Sequence, residues 1–361
     1  MIGQKIYPFF WMVILLASAM QAQVDSNFHC YLLFGQSNMA GGGAISDSAP
    51  DCDTSPRVKV LAFSDCNLSA SPDCQKIPMH RTADQWYTAF PPLHDCRANL
   101  EGICPGDWFG KAMLDSVASN IKIGLIPCAL SGMSLAVFLK NSGVKSTVGP
   151  IAVNGKNAYD WVIKRCKIAQ QTGVIKGMLL HQGESGSGTA QTWDAMAIQI
   201  FNDLKSDLKL DTKTPAVIGQ LRSDNTSPSQ NNTNFNNMVN GIPAKYPNSA
   251  VASSQGLSGN GRDVWHFRPS SMRELGKRYA RAVLSLTDHT FIPRKGDITG
   301  VANPIKSGTS SAANILSTQK EIKIYSLSGK LIQQYASNKI TGAKSLNSGP
   351  VYIVAPNSYS T

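Results

Sequence analysis

Ser37 lies in the glycine-rich stretch Phe34–Gly43, directly after a short apolar run that predicts a buried strand. A serine hydroxyl at the end of a strand can act as a nucleophile when a neighbouring base removes its proton. Among the six histidines, His266 is the best candidate for that base. Asp263 precedes it by three residues and could hold the imidazole tautomer. Together these residue types could attack an ester carbonyl.

Acyl transfer also needs hydrogen-bond donors for the oxyanion that forms at the carbonyl. The sequence predicts that the Ser37 N–H, the Gly132 N–H and the Gln182 amide supply them, since each residue follows an apolar run. Glu184 is a second carboxylate close behind Gln182. The residues by themselves leave open whether this glutamate, the aspartate or both orient the histidine.

Three further polar residues adjoin these groups along the chain, and we assign Gln36, Asn38 and His181 to substrate binding. A serine-based constellation of this kind implies neither a metal ion nor a cofactor. Each segment taken alone would also fit a polar turn after a strand. It is the combination that favours catalysis.

Apolar runs with strand character precede these loops, and segments with helical periodicity separate them. The predicted strands are residues 30–34, 58–63, 121–130, 174–180, 214–221 and 250–253. The predicted helices are residues 106–117, 156–171, 190–209 and 270–286, with another beginning in the asparagine-rich stretch 231–240. This alternation predicts a three-layer α/β/α fold with a mostly parallel central sheet. Right-handed crossovers would gather the loops after the strands at one edge.

The two ends of the chain differ in composition from its middle. Residues 1–22 combine Lys5, an apolar run and small residues, which is the pattern of a secretory signal peptide. Residues 23–289 hold the predicted α/β domain. Residues 290–318 read as a linker rich in Gly, Ser, Ala, Asn and Pro, and residues 319–361 as a small C-terminal β segment.

Five of the eight cysteines crowd into an insert at residues 52–104, which has little helical or strand periodicity. In an oxidising compartment disulfides would close such a segment, although the sequence leaves their pairing open. A zinc site is the alternative, but the insert has no Cys-x-x-Cys pair. The net charge of +11 is scattered, without a basic tract or a nucleic-acid motif, so we predict no nucleic-acid partner.

Four segments occur in a fixed order: GQSNMAGGG from Gly35, ALSGMS from Ala129, HQGES from His181 and DVWHF from Asp263. Over residues 27–287 this series resembles the blocks of SGNH-type esterases. Within them it is most similar to the acetyl xylan esterases of carbohydrate esterase family six and to their sialate O-acetylesterase relatives. The resemblance implies an SGNH, flavodoxin-like form of the predicted fold.

The resemblance also implies roles for individual residues. Ser37 would be the nucleophile and His266 the base, with the Ser37 N–H, the Gly132 N–H and Gln182 forming the oxyanion hole. Glu184 matches the glutamate that this branch can use as the triad acid, whereas Asp263 matches the acid of the wider superfamily. Ser131 stands where relatives often carry a second glycine.

The C-terminal segment resembles the sorting domains of type IX secretion, through IYSLSGKLI and SLNSGPVYIV. That resemblance implies export and attachment to a cell surface. The expected protein is therefore a secreted or cell-surface serine esterase that removes O-acetyl groups from plant polysaccharide, with acetylated xylan as the substrate. It would act through an acetyl-Ser37 intermediate.

Two alternatives stay open. A sialate or other sugar O-acetylesterase is the alternative among enzymes. A non-catalytic carbohydrate-binding or adhesin module is the alternative of another class, although the presence of Ser37, Gln182 and His266 together favours an enzyme. The expected partners are acetylated polysaccharides or oligosaccharides and, through the C-terminal segment, a cell surface or the secretion machinery.

Overall fold

The computed structural model describes residues 23–42, 44–96, 102–151, 157–186, 190–224, 232–287, 289, 321–326, 331–336 and 351–354. The helices within these residues are α1 (Ser37–Ala40), α2 (Pro105–Ser116), α3 (Ala158–Gln170), α4 (Ala190–Asp207), α5 (Thr233–Asn240), α6 (Ile242–Lys245) and α7 (Pro269–Ser285). The strands are β1 (Phe28–Gly35), β2 (Val58–Leu61), β3 (Cys66–Leu68), β4 (Met79–Arg81), β5 (Trp86–Thr88), β6 (Lys122–Ala129), β7 (Val174–His181), β8 (Ala216–Gly219), β9 (Ser249–Ala252), β10 (Glu321–Ser326), β11 (Leu331–Ala336) and β12 (Val351–Val354).

Seven strands form the central sheet, in the order β5-β2-β6-β1-β7-β8-β9. Every neighbouring pair is parallel except β2 and β5, which run antiparallel at one edge. Parallel neighbours need long crossover connections, and the helical segments between these strands supply them. The predicted α/β class with a mostly parallel sheet is confirmed.

Strand β1 lies at the centre of the sheet and is covered on both faces. Leu32 and Phe34 point into one apolar core, which α3, α4 and α5 cover. Tyr31 and Leu33 point into the other core, which α2 and α7 cover. Because alternate side chains of a strand project to opposite faces, a run without polar interruption fits a strand that is buried twice.

The cysteine-rich insert is more regular than its sequence predicts. Strands β3 and β4 pair with each other, and β5 joins the edge of the central sheet beside β2, which itself falls within residues 52–104. Strand β2 matches the strand predicted at residues 58–63, whereas β3, β4 and β5 are additional, because strands of three residues are too short to show a period. The described part of the insert contains two disulfides, Cys52–Cys74 and Cys66–Cys96. Cys104 is a buried free thiol at the start of α2.

Strands β10, β11 and β12 form a separate antiparallel sheet in the order β11-β10-β12, where the sequence predicts a small β segment. The predicted signal peptide (residues 1–22) and linker (residues 290–318) lie outside the described residues. None of the helices in the described ranges is both long and apolar enough to cross a membrane.

Candidate active site

Three strand ends meet at the carboxyl edge of the central sheet. The register pairs Gly35, the last residue of β1, with Ala129 at the end of β6 and with His181 at the end of β7. The Gln36 N–H donates to the His181 carbonyl at 3.0 Å, and a Cβ at Gly35 would lie only 2.0 Å from that oxygen. With a φ of +129° in addition, this position favours glycine. The three predicted loops therefore start side by side.

Ser37 is the first residue of α1, a single turn that is capped by Gly41 with a φ of +98°. The N–H groups of Gly41 and Gly42 donate to the Ser37 carbonyl at 2.9 and 2.7 Å. Gly42 also lies against the reacting groups, because a Cβ there would be 3.0 Å from His266 Nε2 and from Ser37 Cβ. This close approach fits a residue without a side chain.

A chain of hydrogen bonds links Ser37, His266 and Asp263. His266 Nε2 lies 2.9 Å from Ser37 Oγ, and His266 Nδ1 lies 3.0 Å from Asp263 Oδ2. One ring nitrogen thus faces the hydroxyl that must lose its proton, and the other faces a carboxylate that can hold the tautomer. The structure brings together the residues predicted as nucleophile, base and acid.

Four hydrogen bonds hold the Asp263 carboxylate. Its Oδ1 accepts from the backbone N–H groups of Trp265 and His266, both at 2.8 Å. Its Oδ2 accepts from Asn260 Nδ2 at 2.9 Å, in addition to the imidazole. Burial by itself would raise the pKa of Asp263, but these hydrogen bonds outweigh it and hold the pKa well below its usual value. A carboxylate that stays ionised can stabilise the imidazolium that forms during attack.

Two residues that the sequence did not single out support the loop of the acid and the base. Asn260 bonds the Asp263 carboxylate, and the only sequence feature that could have indicated this contact is that Asn260 precedes Asp263 by three residues. Arg222 Nη1 donates to the Asp263 carbonyl at 3.0 Å, and Asp224 Oδ1 accepts from Arg222 Nε at 2.9 Å. Because Arg222 precedes Asp263 by 41 residues, no local pattern predicts this contact.

Two backbone N–H groups remain available as oxyanion donors. Within the described residues, neither the Ser37 N–H nor the Gly132 N–H donates to a protein acceptor. Gly132 is exposed and adopts a left-handed φ of +76° three residues beyond the end of β6. These two N–H groups match the predicted set.

Gln182 departs from that set. Its side chain is fully buried, and its Nε2 donates inward to Gln36 Oε1 at 3.1 Å and to the Met133 carbonyl at 3.2 Å. Its Oε1 accepts from Trp193 Nε1 at 2.6 Å. The amide is therefore engaged within the protein and does not face an incoming carbonyl, which corrects the prediction. From the loop after β7, it instead bonds the loop after β1 and the loop after β6.

The assignment of Gln36, Asn38 and His181 to substrate binding also needs correction. All three are buried, with exposed fractions of 2%, 0% and 0%. Gln36 bonds the loop after β7 and Asn38 bonds Glu184, while His181 Nδ1 lies 3.2 Å from the Tyr279 hydroxyl. Burial lowers the pKa of His181 to about 3, so its ring is neutral. These side chains lie beneath the loops that substrate would contact.

Glu184 does not bond the imidazole of His266, although its Oε1 lies 3.8 Å from His181 Nε2. Its Oε1 accepts from Asn38 Nδ2, and its side chain is only 5% exposed. Among the described residues, the one carboxylate that bonds the His266 ring belongs to Asp263. Burial raises the pKa of Glu184. The sequence leaves open which of the two acids orients His266, and this geometry favours Asp263.

The arrangement can perform one kind of chemistry well. A nucleophile, a base, an ionised acid and two N–H donors are the set required for acyl transfer from an ester. Within the part of the chain that the structure describes, no group of three or more His, Cys, Asp or Glu side chains is placed to hold a metal ion.

Comparison with known proteins agrees with this chemistry. A family model described as carbohydrate esterase, sialic acid-specific acetylesterase, matches residues 27–285. The probable carbohydrate esterase At4g34215 of Arabidopsis thaliana is 26% identical over 200 residues, which span 50% of this chain and 64% of that protein. Its X-ray structure superposes with a TM-score of 0.53 at 22% identity and covers 71% of this chain and 98% of its own.

The carbohydrate acetylesterase XAC1771 from Xanthomonas citri superposes with a TM-score of 0.52 at 12% identity, covering 90% of this chain and 73% of its own. At these identities the structural likeness shows a shared fold. The family model, by contrast, matches most of the chain and includes every candidate catalytic residue. The chain therefore belongs to this family of carbohydrate esterases.

Proposed function

We propose that the protein is a serine O-acetylesterase that removes acetyl groups from sugars. The observation that carries the proposal is the line of contacts from Ser37 Oγ through the His266 ring to Asp263 Oδ2, at 2.9 and 3.0 Å. The description of the family and the activity named for the Xanthomonas protein support an acetyl ester as the bond that is cleaved.

In the proposed reaction, Ser37 Oγ attacks the acetyl carbonyl while His266 Nε2 takes the hydroxyl proton. The resulting oxyanion is bound by the Ser37 and Gly132 N–H groups. His266 then returns the proton to the departing sugar oxygen, which leaves an acetyl group on Ser37. A water molecule attacks this ester, His266 accepts its proton, and acetate leaves as Ser37 regains its hydrogen. Asp263 remains ionised and stabilises the imidazolium in both halves of the cycle.

Within this activity we propose acetylated xylan as the substrate, on the strength of the sequence resemblance to acetyl xylan esterases. The second candidate is an O-acetylated sialate, which the description of the matching family favours. Acetate release from acetylated xylan, acetylated sialate and acetylated monosaccharides, compared by kcat/KM, separates the two. A preference of less than tenfold among them would argue against a dedicated substrate.

We also propose that the protein is exported and that its C-terminal segment attaches it to a cell surface. Two disulfides in the cysteine-rich insert support an oxidising compartment. Cell fractionation with mass spectrometry of the mature N-terminus tests this. A full-length chain retained inside the cell, still beginning at Met1, would refute it.

The experiment that tests the proposed activity is Ser37→Ala. We expect acetate release to fall by at least about 10⁴-fold, because loss of a triad nucleophile leaves only the contribution of binding and of the oxyanion donors. Circular dichroism should show an unchanged fold. Unchanged turnover in this variant would exclude the mechanism, and sugar binding without any turnover by the wild type would favour a non-catalytic module.

A further inference from the structure

Asn38, next to the nucleophile, bonds the backbone on both sides of His266. Its Nδ2 donates to the Trp265 carbonyl at 3.1 Å, and its Oδ1 accepts from the Phe267 N–H at 3.2 Å. The side chain is fully buried, so bulk solvent does not reach these groups. One amide thus ties the turn that carries Ser37 to the segment that carries the base, 229 residues further along the chain.

Glu184 completes the bonding of this amide. Asn38 Nδ2 has two hydrogens, and they go to the Trp265 carbonyl and to Glu184 Oε1. Glu184 Oε1 accepts on the NH₂ side of Asn38, which favours the amide orientation in which Oδ1 faces the Phe267 N–H. Glu184 therefore sets which way the Asn38 amide faces.

A direct role for Glu184 on the base does not fit the geometry. An imidazole has two nitrogens, and in His266 they face Ser37 Oγ and Asp263 Oδ2. Glu184 nevertheless occupies a site where a carboxylate is unfavourable. Its Oε2 has no hydrogen-bond partner within the described residues, and burying an incompletely bonded carboxylate costs stability. A glutamate at such a site calls for an explanation beyond packing.

We propose that Glu184 is a positioning residue that acts through Asn38 to hold residues 265–267, and thereby keeps His266 Nε2 within hydrogen-bond distance of Ser37 Oγ. This inference rests on the proposed esterase mechanism, in which that distance governs proton transfer. It gives the buried glutamate a function distinct from that of the triad acid. It also explains why Asn38, which no substrate can reach, stands beside the nucleophile.

The test compares Glu184→Ala, Glu184→Gln, Asn38→Ala and the double variant Asn38→Ala/Glu184→Ala. We expect each alanine variant to lower kcat for 4-nitrophenyl acetate by about 100-fold, because a displaced base transfers protons poorly. KM should change little, since neither side chain is exposed to substrate. Glutamine keeps an oxygen that accepts from Asn38, so Glu184→Gln should stay within about tenfold of the wild type.

The double variant tests whether Glu184 and Asn38 act through the same contact or independently. If Glu184 acts through Asn38, kcat of the double variant should be no more than about threefold below that of the less active single variant. Losses that multiply to about 10⁴-fold would overturn the inference. So would a folded Glu184→Gln protein as inactive as Glu184→Ala, because the charge itself would then be required.

A spectroscopic readout keeps this test independent of the sugar substrate. The His266 ring N–H that bonds Asp263 should give a downfield proton resonance in the wild type, identified by its loss in Asp263→Asn. We expect this signal to weaken in Asn38→Ala and Glu184→Ala. Glu274→Ala is the control, since that buried glutamate bonds Arg278 and Arg281 on α7 and should leave the signal unchanged.

The two proposals can fail separately. A wild type that shows the resonance but releases no acetate from any ester would refute the proposed function, while loss of the resonance in Glu184→Ala would still support the positioning role. A wild type that is active, with an equally active Glu184→Ala and an unchanged resonance, would refute only the positioning role.

Discussion

Replacing Asp263 by asparagine tests the geometry of the candidate triad most directly. In the wild type, Oδ1 accepts from two backbone N–H groups and Oδ2 accepts from Asn260 Nδ2 and His266 Nδ1. Asparagine offers one acceptor and one donor. Its oxygen must stay on the backbone side, because those two N–H groups cannot change roles. The new NH₂ group then faces Asn260 and the imidazole, which were both donors.

The imidazole has to respond by exchanging its tautomer. With Nδ1 now accepting from the asparagine, the hydrogen moves to Nε2, which then cannot take the proton of Ser37. In a Ser-His-Asp triad this exchange lowers kcat by about 10⁴-fold, which corresponds to about 5 kcal/mol of transition-state stabilisation. We expect a loss of this size in Asp263→Asn, with KM and the melting temperature little changed.

The assay is the steady-state rate of acetate release near neutral pH. Asn260→Ala is the control, because it removes one of the four hydrogen bonds to the carboxylate, together with the bonds that Asn260 Oδ1 accepts from the Arg262 and Asp263 N–H groups, but leaves the charge and the imidazole contact. We expect that control to lose less than about tenfold. A folded Asp263→Asn protein within tenfold of the wild type would refute the reasoning, since the tautomer would then be held by some other group.

Two further predictions concern the close packing at Gly42 and the burial of His94. Gly42→Ala should lower kcat/KM by about 100-fold with a normal fold, because its Cβ would lie 3.0 Å from both members of the Ser–His pair; activity within a few-fold of the wild type would show that the turn has room. Burial lowers the pKa of His94 to about 3, against an ordinary value of about 6.5, so the unfolded chain binds a proton there that the folded protein excludes. The free energy of unfolding is therefore highest above about pH 6.5, where the unfolded chain does not take up this proton. It falls by about 2 kcal/mol between neutral pH and about pH 5 because of this residue. Urea titrations at both pH values should show a shallower loss in His94→Leu, and equal losses in the two proteins would contradict the assignment.

Much of the α/β domain was predictable because its elements are buried in regular patterns. The sequence predicts a strand at residues 174–180, and β7 spans Val174–His181. It predicts a helix at residues 270–286, and α7 spans Pro269–Ser285. A strand covered on both faces is apolar throughout and a helix covered on one face has a period of 3.6, so both leave a mark in the local sequence. The three-residue strands of the insert leave no such mark, since their formation depends on distant partners.

Acyl transfer can be predicted for this protein without its structure. Ser37 after an apolar run and Asp263 three residues before His266 are local sequence features, and it is their combination with the other active-site segments that favours this chemistry. Which polar groups are exposed and which are buried depends on the tertiary structure. Gln182, Asn38 and their neighbours are polar residues in active-site segments, and nothing in their identity distinguishes an exposed amide from a buried one. That distinction depends on which distant loops cover them, because a buried amide must find its hydrogen-bond partners within the fold.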